Sequence, residues 1–170
     1  MQRLVKRPPV TAEPGRGLFR NDHFQMAWVT NDMDRACTVF KERYGIKEFS
    51  RLAGPMPSGG RIHVELAWAG GLMYELMHVE GPGSECFTSV LPPGGFAIRP
   101  HHLGYFVNSA ADWQALQEAI ERGGWKVVHR NSTPGFLSAC IIEVPEMGHY
   151  LEYIYPEAGG IAFFENVPCS

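Results

Sequence analysis

Four polar residues recur at equal spacing in the two halves of the chain. Gln25 and Glu75 are 50 residues apart, and the same distance separates His102 from Glu152. Imidazole nitrogen, amide oxygen and carboxylate oxygen are all ligands of divalent ions such as Zn, Ni, Co, Mn or Fe(II). The four residues therefore predict a metal site with two octahedral positions left for water or substrate.

Each of these residues also has an ordinary interpretation when it is taken alone. Gln25 fits a strand amide with satisfied hydrogen bonds, and His102, next to His101, fits a histidine at the start of a strand. Glu75 fits one half of an ion pair. Short patterns match by chance often, but the matched placement of four residues in two equal halves favours the metal interpretation.

The elements that must position these residues form an internal repeat, which a shift of 77 residues reveals. The shift superimposes five pairs: Gln25 on His102, Trp28 on Tyr105, Asn31 on Asn108, Gly71 on Gly148 and Glu75 on Glu152. Each half reads as strand, helix, strand, strand, strand. The sequence thus predicts an α+β fold in which two βαβββ repeats form a curled mixed sheet around one metal-binding cavity.

Apolar spacing and turn residues give the bounds of the predicted elements. A helix is predicted over 33–44, where Gly45 ends it, and a second helix over 111–122, which ends at Gly123 and Gly124. Residues 53–60 read as a loop. Apolar runs between turn signals predict eight strands, at 24–30, 48–52, 61–69, 72–79, 102–107, 125–129, 136–144 and 149–155.

The alternation of side chains along a strand assigns the candidate ligands to one face of the sheet. Glu75 shares a face with Met77, and Glu152 shares a face with Ile154. The opposite face must be apolar because it packs on the helices. Since carboxylates are almost never buried unless they are paired or bound to metal, both belong to the concave face. Gln25 and His102 fit that side too.

Several segments resemble the strand patterns of the vicinal oxygen chelate superfamily, over residues 21–156. They are MAWVTNDMDRA, LMYELM, HHLGYFV and HYLEYIY. The superfamily includes glyoxalase I, methylmalonyl-CoA epimerase, bleomycin-resistance proteins and extradiol dioxygenases. Gln25 stands where many members have His, and His102 rather than His101 takes the ligand position. The Gln, Glu, His, Glu set is similar to that of glyoxalase I, whereas the segments are closer to epimerase-like members.

The resemblance implies a metal-dependent isomerase, epimerase or lyase. The metal chelates two vicinal oxygens of a small carbonyl substrate, and a carboxylate moves a proton through an enolate-like intermediate. Glu152 is the first candidate for the base, because it resembles the glyoxalase position where a carboxylate is both ligand and base. Glu75 is its partner carboxylate.

Glu65 is a third catalytic candidate, together with His63. The epimerase branch has a catalytic carboxylate on this strand. Both side chains face the cavity if Ile62, Val64 and Leu66 pack on the helix. The other interpretation of Glu65 is a solvated strand edge.

The nature of the substrate and two other functions stay open at this point. The expected walls are largely apolar, which favours an apolar or aromatic carbonyl compound. They include Met73, Met77, Phe106, Tyr150 and Ile154. Arg61, Arg99 and the N-terminal arginines are the obvious suppliers of charge for a CoA or glutathione handle. One alternative is a non-enzymatic ligand-binding protein of the bleomycin-resistance type. The other is an Fe(II) ring-cleaving dioxygenase, whose two-His, one-carboxylate pattern Gln25 would break.

Length and composition bound the remaining possibilities. The chain has 170 residues, 45% hydrophobic and 19% charged, with a formal net charge of -3. It is long enough for one compact domain or two small halves that share a core. The slight acidity argues against nucleic acid, and no apolar run approaches the ~20 residues that span a bilayer. No cysteine lies in a CxxC pair, which argues against a zinc knuckle. A disulfide framework is not expected at this size without a secretory signal, so a cytoplasmic protein with reduced thiols is expected. The resemblance implies a homodimer.

Composition also predicts the organisation of the chain. Residues 1–20 form a basic, proline-rich N-terminal arm without the apolar core of a signal peptide. The two βαβββ modules cover 21–79 and 101–156. The connection between them, 80–100, is long enough to be functional or mobile. The C-terminal tail, 157–170, is apolar over 161–168 and is expected to cover the pocket, form a dimer contact or pack on the sheet.

Overall fold

The computed structural model describes residues 12–13 and 15–170. The strands are β1 (Asp22–Thr30), β2 (Ser50–Pro55), β3 (Arg61–Ala69), β4 (Leu72–Glu80), β5 (Ile98–Phe106), β6 (Val127–Thr133), β7 (Leu137–Val144) and β8 (His149–Pro156). The helices are α1 (Met33–Tyr44), α2 (Glu85–Thr88), α3 (Ala110–Gly123) and α4 (Ala158–Glu165). The predicted α+β fold with two βαβββ repeats is confirmed.

All eight strands belong to one mixed sheet, in the order β2-β3-β4-β1-β5-β8-β7-β6. The first strand of each repeat lies parallel to the last strand of the same repeat, β1 beside β4 and β5 beside β8. The two first strands pair antiparallel at the centre of the sheet. The repeats are therefore joined edge to edge through β1 and β5.

Local sequence signals explain where both long helices begin and end. The side chain of Asp32 accepts a hydrogen bond from Arg35 N at the start of α1, and Ser109 accepts one from Asp112 N at the start of α3. Gly45 follows α1 in the left-handed region, with φ at 77°. Such caps satisfy backbone groups that a helix end leaves without partners. Helix α1 has its predicted bounds, and α3 is longer by one residue at each end.

Three predicted bounds are wrong where strand pairing overrides the local pattern. Strand β2 continues to Pro55, into the segment expected to be a loop, because it pairs with the start of β3. Strand β6 runs over Val127–Thr133 rather than 125–129, because it pairs with β7. The connection after β4 contains the short helix α2 and the first residues of β5. Hydrogen bonds to a neighbouring strand extend these strands beyond the apolar runs from which they were predicted.

The apolar core has three parts. Helix α1 packs on the convex side of the first repeat through Ala36 and Phe40, and α3 packs on the second through Leu116 and Ile120. The third part lies on the concave side and combines residues of both repeats. The repeats thus have separate cores beneath their helices and a common core on the concave side, where the candidate ligands lie.

Both ends of the described chain pack against the sheet. The Tyr153 hydroxyl donates a hydrogen bond of 2.8 Å to the Leu18 carbonyl. Most of the predicted arm, residues 1–11 and 14, lies outside the described residues. At the other end, Trp68 Nε1 donates to the Phe164 carbonyl at 3.1 Å, so α4 returns to the first repeat. In the described part of the chain, no helix is both long and apolar enough to cross a membrane.

Candidate metal centre

The four predicted ligands lie on the central strands of the sheet. Gln25 is on β1 and His102 on β5, and each faces a small residue of the other strand. Gln25 is opposite Gly104, and His102 is opposite Ala27. Glu75 and Glu152 lie on the adjoining strands β4 and β8. All four residues come from one chain.

His102 lies between the two carboxylates. Its Nε2 atom is 3.1 Å from Glu75 Oε2 and 3.0 Å from Glu152 Oε2. One ligand atom of each of the three residues lies within 4.8 Å of the others. His102 and Glu75 are buried, and Glu152 is partly buried. At these distances His102 Nε2 is within ion-pairing range of both carboxylates, although neither contact has the geometry of a hydrogen bond.

Gln25 offers a fourth donor atom. Its Oε1 is buried without a hydrogen-bond partner, while its Nε2 faces the Met73 sulfur at 3.9 Å. Gly104 makes room for this side chain, because a Cβ at that position would overlap Gln25 Oε1. The Gly104 position thus allows the amide to lie across β5.

Burial and charge act in opposite directions on the titration of these groups. Burial disfavours the imidazolium of His102, but attraction to Glu152 and Glu75 outweighs it and raises the pKa of His102 to about 10. Burial raises the pKa of Glu75, against the opposing effect of His102. Two buried carboxylates beside one imidazole need compensating positive charge. A divalent ion with nitrogen and oxygen ligands fits this donor set.

A cavity of about 130 Å³ lies over these residues, and Gln25, Glu75 and Glu152 are in its wall. An engineered cavity of ~150 Å³ holds a molecule as large as benzene. Both repeats contribute apolar side chains to the wall, and so do α2 and α4: Met56, Ile62, Val64, Leu66, Met77, Phe87, Leu137, Ile141, Ile154 and Phe164. Among the expected apolar wall residues, Met77 and Ile154 line this cavity.

His129 and Asn131 are polar wall residues that the sequence reasoning missed. Asn131 lies beyond the predicted end of β6 at residue 129, whereas His129 lies at that end and was given no role. His129 is opposite Ile141 on β7, which is opposite Glu152 on β8, so the three share a face. Burial lowers the pKa of His129. The internal repeat could have indicated His129, because the 77-residue shift superimposes it on Leu52, which also lines the cavity.

The expectation that Glu65 and His63 face the cavity is wrong. Leu66 is opposite Glu75 in the β3–β4 ladder and shares its face, so Glu65 points to the other side. There its Oε1 accepts a hydrogen bond of 2.8 Å from Arg51 Nε and lies 2.8 Å from His63 Nε2. A change of one residue in register exchanges the two faces of a strand. Glu65 is therefore part of an ion-paired cluster on the helix side.

No protein-family model and no curated protein matches the chain. Solved structures do match. Methylmalonyl-CoA epimerase from Mycobacterium tuberculosis is 15% identical, with a TM-score of 0.60 over 86% of this chain and 95% of that one. The chain has the fold of the vicinal oxygen chelate superfamily.

Two other solved structures share this vicinal oxygen chelate fold. A Streptomyces coelicolor methylmalonyl-CoA epimerase variant in complex with 2-nitronate-propionyl-CoA is 16% identical, with a TM-score of 0.57 over 81% of this chain and 99% of that one. A variant of 4-hydroxymandelate synthase from Streptomyces coelicolor is 13% identical, with a TM-score of 0.50 over 80% of this chain and 48% of that one. The similarity is one of fold.

Proposed function

We propose that the chain is a metal-dependent isomerase, epimerase or lyase that moves a proton on the carbon beside a carbonyl group. One observation carries this proposal. Gln25 Oε1, Glu75 Oε2 and His102 Nε2 are buried without hydrogen-bond partners, next to the carboxylate of Glu152. An unsatisfied buried group costs about 1–3 kcal/mol, and an ion bound between these donor atoms would satisfy them.

In this proposal, Gln25, Glu75, His102 and Glu152 hold one divalent ion, Zn, Ni, Co, Mn or Fe(II). When bound, the ion polarises the vicinal oxygens of the substrate and makes the adjoining C–H bond more acidic. The apolar side chains around the cavity exclude water, which strengthens every charge interaction inside it.

Glu152 is the proposed base. Both carboxylates border the cavity, but Glu152 is only partly buried, whereas the Oε2 atom of Glu75 is fully buried. Glu152 can therefore receive a proton from a substrate in the cavity and return it to a neighbouring carbon or to the other face. Glu75 stays in place and keeps the imidazole of His102 oriented.

The size and polarity of the cavity define the proposed substrate class. Its wall contains no Arg or Lys among the described residues, and its polar side chains besides the candidate ligands are His129 and Asn131. The phosphates of a CoA thioester call for cations, which this wall does not supply. The proposed substrate is a small carbonyl compound with an apolar or aromatic substituent.

Metal binding and solvent proton exchange test the proposal together. The purified protein is expected to gain thermal stability with at least one of Zn, Ni, Co or Mn, because a ligand of the folded state stabilises it. The metal-loaded protein is then incubated in deuterium oxide with small α-hydroxy and α-keto carbonyl compounds. Glu152→Gln is expected to retain the fold and to lose exchange at the substrate carbon.

Glu65→Gln is the matched control, because it makes the same change on the opposite face of the sheet. Exchange should survive in this variant. Equal exchange in the Glu152→Gln and wild-type proteins would exclude Glu152 as the base. A protein that binds none of the metals would exclude the metal-dependent reaction.

A ligand-binding protein of the bleomycin-resistance type is the second candidate. The observation that favours it is the predominantly apolar cavity, which Phe87 and Phe164 border from outside the two repeats. This function predicts tight binding of apolar compounds without exchange and without a requirement for metal. Titration of such compounds into metal-free and metal-loaded protein separates the two functions.

A further inference from the structure

Two adjacent histidines form a chain of contacts that ends at the candidate metal site. His101 Nε2 is 3.1 Å from the carbonyl oxygen of Cys86, and His101 Nδ1 is 2.9 Å from His102 Nδ1. The other nitrogen of His102, Nε2, is the one that faces Glu75 and Glu152. Both imidazoles are buried, with exposed fractions of 1% and 3%.

The chemistry of the contacts decides which nitrogen carries each proton. A carbonyl oxygen only accepts hydrogen bonds, so His101 Nε2 must carry a proton and donate it to Cys86. A neutral imidazole has one proton, and a buried charge on His101 would have no carboxylate partner. His101 Nδ1 is therefore an acceptor, and His102 Nδ1–H donates to it. This leaves the lone pair of His102 Nε2 for an ion.

We propose that His101 is a positioning residue that holds His102 in the tautomer with Nδ1 protonated and Nε2 turned toward the metal. The proposal rests on the proposed metal-dependent function for its consequence, but the hydrogen bond from His102 Nδ1–H to His101 Nδ1 is a property of the protein alone. Ligand histidines commonly donate their second N–H to a carboxylate, a backbone carbonyl or water. Here a second histidine takes that place.

Packing around His101 keeps this chain of hydrogen bonds in line. The His101 ring stacks on Phe87, with centroids 5.0 Å apart, and on Tyr150, with centroids 4.7 Å apart. Cys86 and Phe87 both belong to helix α2, and Phe87 borders the cavity. Helix α2 thus supplies both the Cys86 carbonyl, which accepts the last hydrogen bond, and part of the cavity wall. The position of α2 is therefore linked to the orientation of His102.

Nitrogen NMR of histidine-labelled protein tests the tautomers directly. The expected spectra show His101 protonated at Nε2 and, in the zinc-loaded protein, His102 protonated at Nδ1 alone. A scalar coupling between the two Nδ1 atoms across the hydrogen bond is expected with and without metal. Spectra of His101→Asn and His102→Gln assign the signals. His102 protonated at Nε2 in the zinc-loaded protein, or no coupling between the Nδ1 atoms, would overturn the proposal.

Two variants of His101 separate hydrogen bonding from packing. His101→Phe keeps an aromatic ring for the two stacking contacts and removes the acceptor, so zinc affinity is expected to fall about 10–100-fold. In His101→Asn the side-chain oxygen takes the place of Nδ1, and most of the affinity is expected to return. His78→Phe, on the outer face of β4, is the matched control and should leave the affinity unchanged.

The result that contradicts the proposal is an equal loss in both His101 variants, or no loss in His101→Phe. Circular dichroism and thermal unfolding show whether each variant is folded before its affinity is compared. A wild-type protein that binds no metal would refute the proposed function, whereas the coupling between the two Nδ1 atoms would still be measured in that metal-free protein. The two failures are therefore distinguishable.

Discussion

The two repeats place their candidate ligands alike and line the cavity differently. In each repeat, the first strand carries one ligand and the last strand carries a glutamate. Across the centre of the sheet, His102 faces Ala27 and Gln25 faces Gly104. The missing Cβ at Gly104 leaves room for the Gln25 side chain, whose Oε1 would touch any Cβ there. Equivalent backbones thus present two chemically different ligands.

The cavity walls show the larger difference between the repeats. The position occupied by Leu52 in the first repeat is occupied by His129 in the second, and both border the cavity. Asn131 is also in the second repeat. The first repeat therefore supplies an apolar wall and the second a partly polar one. A duplicated fold with unequal walls orients an unsymmetrical substrate, because each end of the substrate has a preferred side.

The largest expected effect comes from removing the imidazole rather than the amide. His102→Ala leaves Glu75 and Glu152 without their partner, and breaking a buried ion pair costs about 3–5 kcal/mol. Metal binding should be lost as well. Gln25→Ala removes an amide with no hydrogen-bonded oxygen, so it should lower metal affinity with little loss of stability. Chemical denaturation and zinc titration of both variants check the difference. Equal effects would mean that the two first-strand positions are energetically equivalent.

The second comparison changes the small residues that lie opposite Gln25 and His102 at the centre of the sheet. Gly104→Ala forces Gln25 Oε1 to move, at a cost of about 1–3 kcal/mol, and metal affinity is expected to fall. Ala27→Gly, its counterpart opposite His102, should cost about 0.5–1 kcal/mol through backbone entropy alone. Its metal affinity should stay at the wild-type value. A loss of affinity in Ala27→Gly would show that both positions constrain their ligands.

The pH dependence of stability should depend on the second repeat, since Gln25 does not titrate. In the metal-free protein the pKa of His102 is about 10, above the unfolded value near 6.5. The protonated imidazole therefore contributes stability that is fully present below about pH 6.5 and is lost as the pH rises through 10. Thermal unfolding midpoints from pH 6 to pH 10 measure this loss. His102→Gln should flatten the profile, and an unchanged slope would assign it to other groups.

The smallest expected effect concerns the walls. His129→Leu makes the second repeat resemble the first, and it should leave metal affinity unchanged because His129 is not a candidate ligand. The preference for apolar over polar carbonyl ligands should rise on the order of tenfold, as one changed wall contact allows. Competition binding measures that ratio. A drop in metal affinity would contradict the assignment of His129 to the wall.

Much of the fold could be predicted from local signals. Asp32 and Gly45 bound α1, and the 77-residue repeat predicted the order of elements that the sheet has. The convergence of Glu75, His102 and Glu152 followed from equal spacing and strand alternation. Their role as metal ligands stays a prediction, as does the homodimer.

Other features could not be read from local patterns. Glu65 was assigned to the wrong face because the alternation of β3 is apolar on both sides, with Val64 and Leu66 toward the cavity and Ala67 beneath α1. Asn131 was missed because strand pairing, rather than apolar composition, extends β6 beyond residue 129. The short helix α2 has too few residues to show a helical period.

Sequence by itself determined the repeat, the helix ends and the identity of the candidate ligands, because these depend on residue type and on the regular spacing of helices and strands. Tertiary structure decided three things that depend on contacts between distant segments. It set the register that separates Glu75 from Glu65, the hydrogen bonds from Cys86 through His101 to His102, and the unequal walls. Each is a property of paired surfaces, which no single segment of the chain encodes.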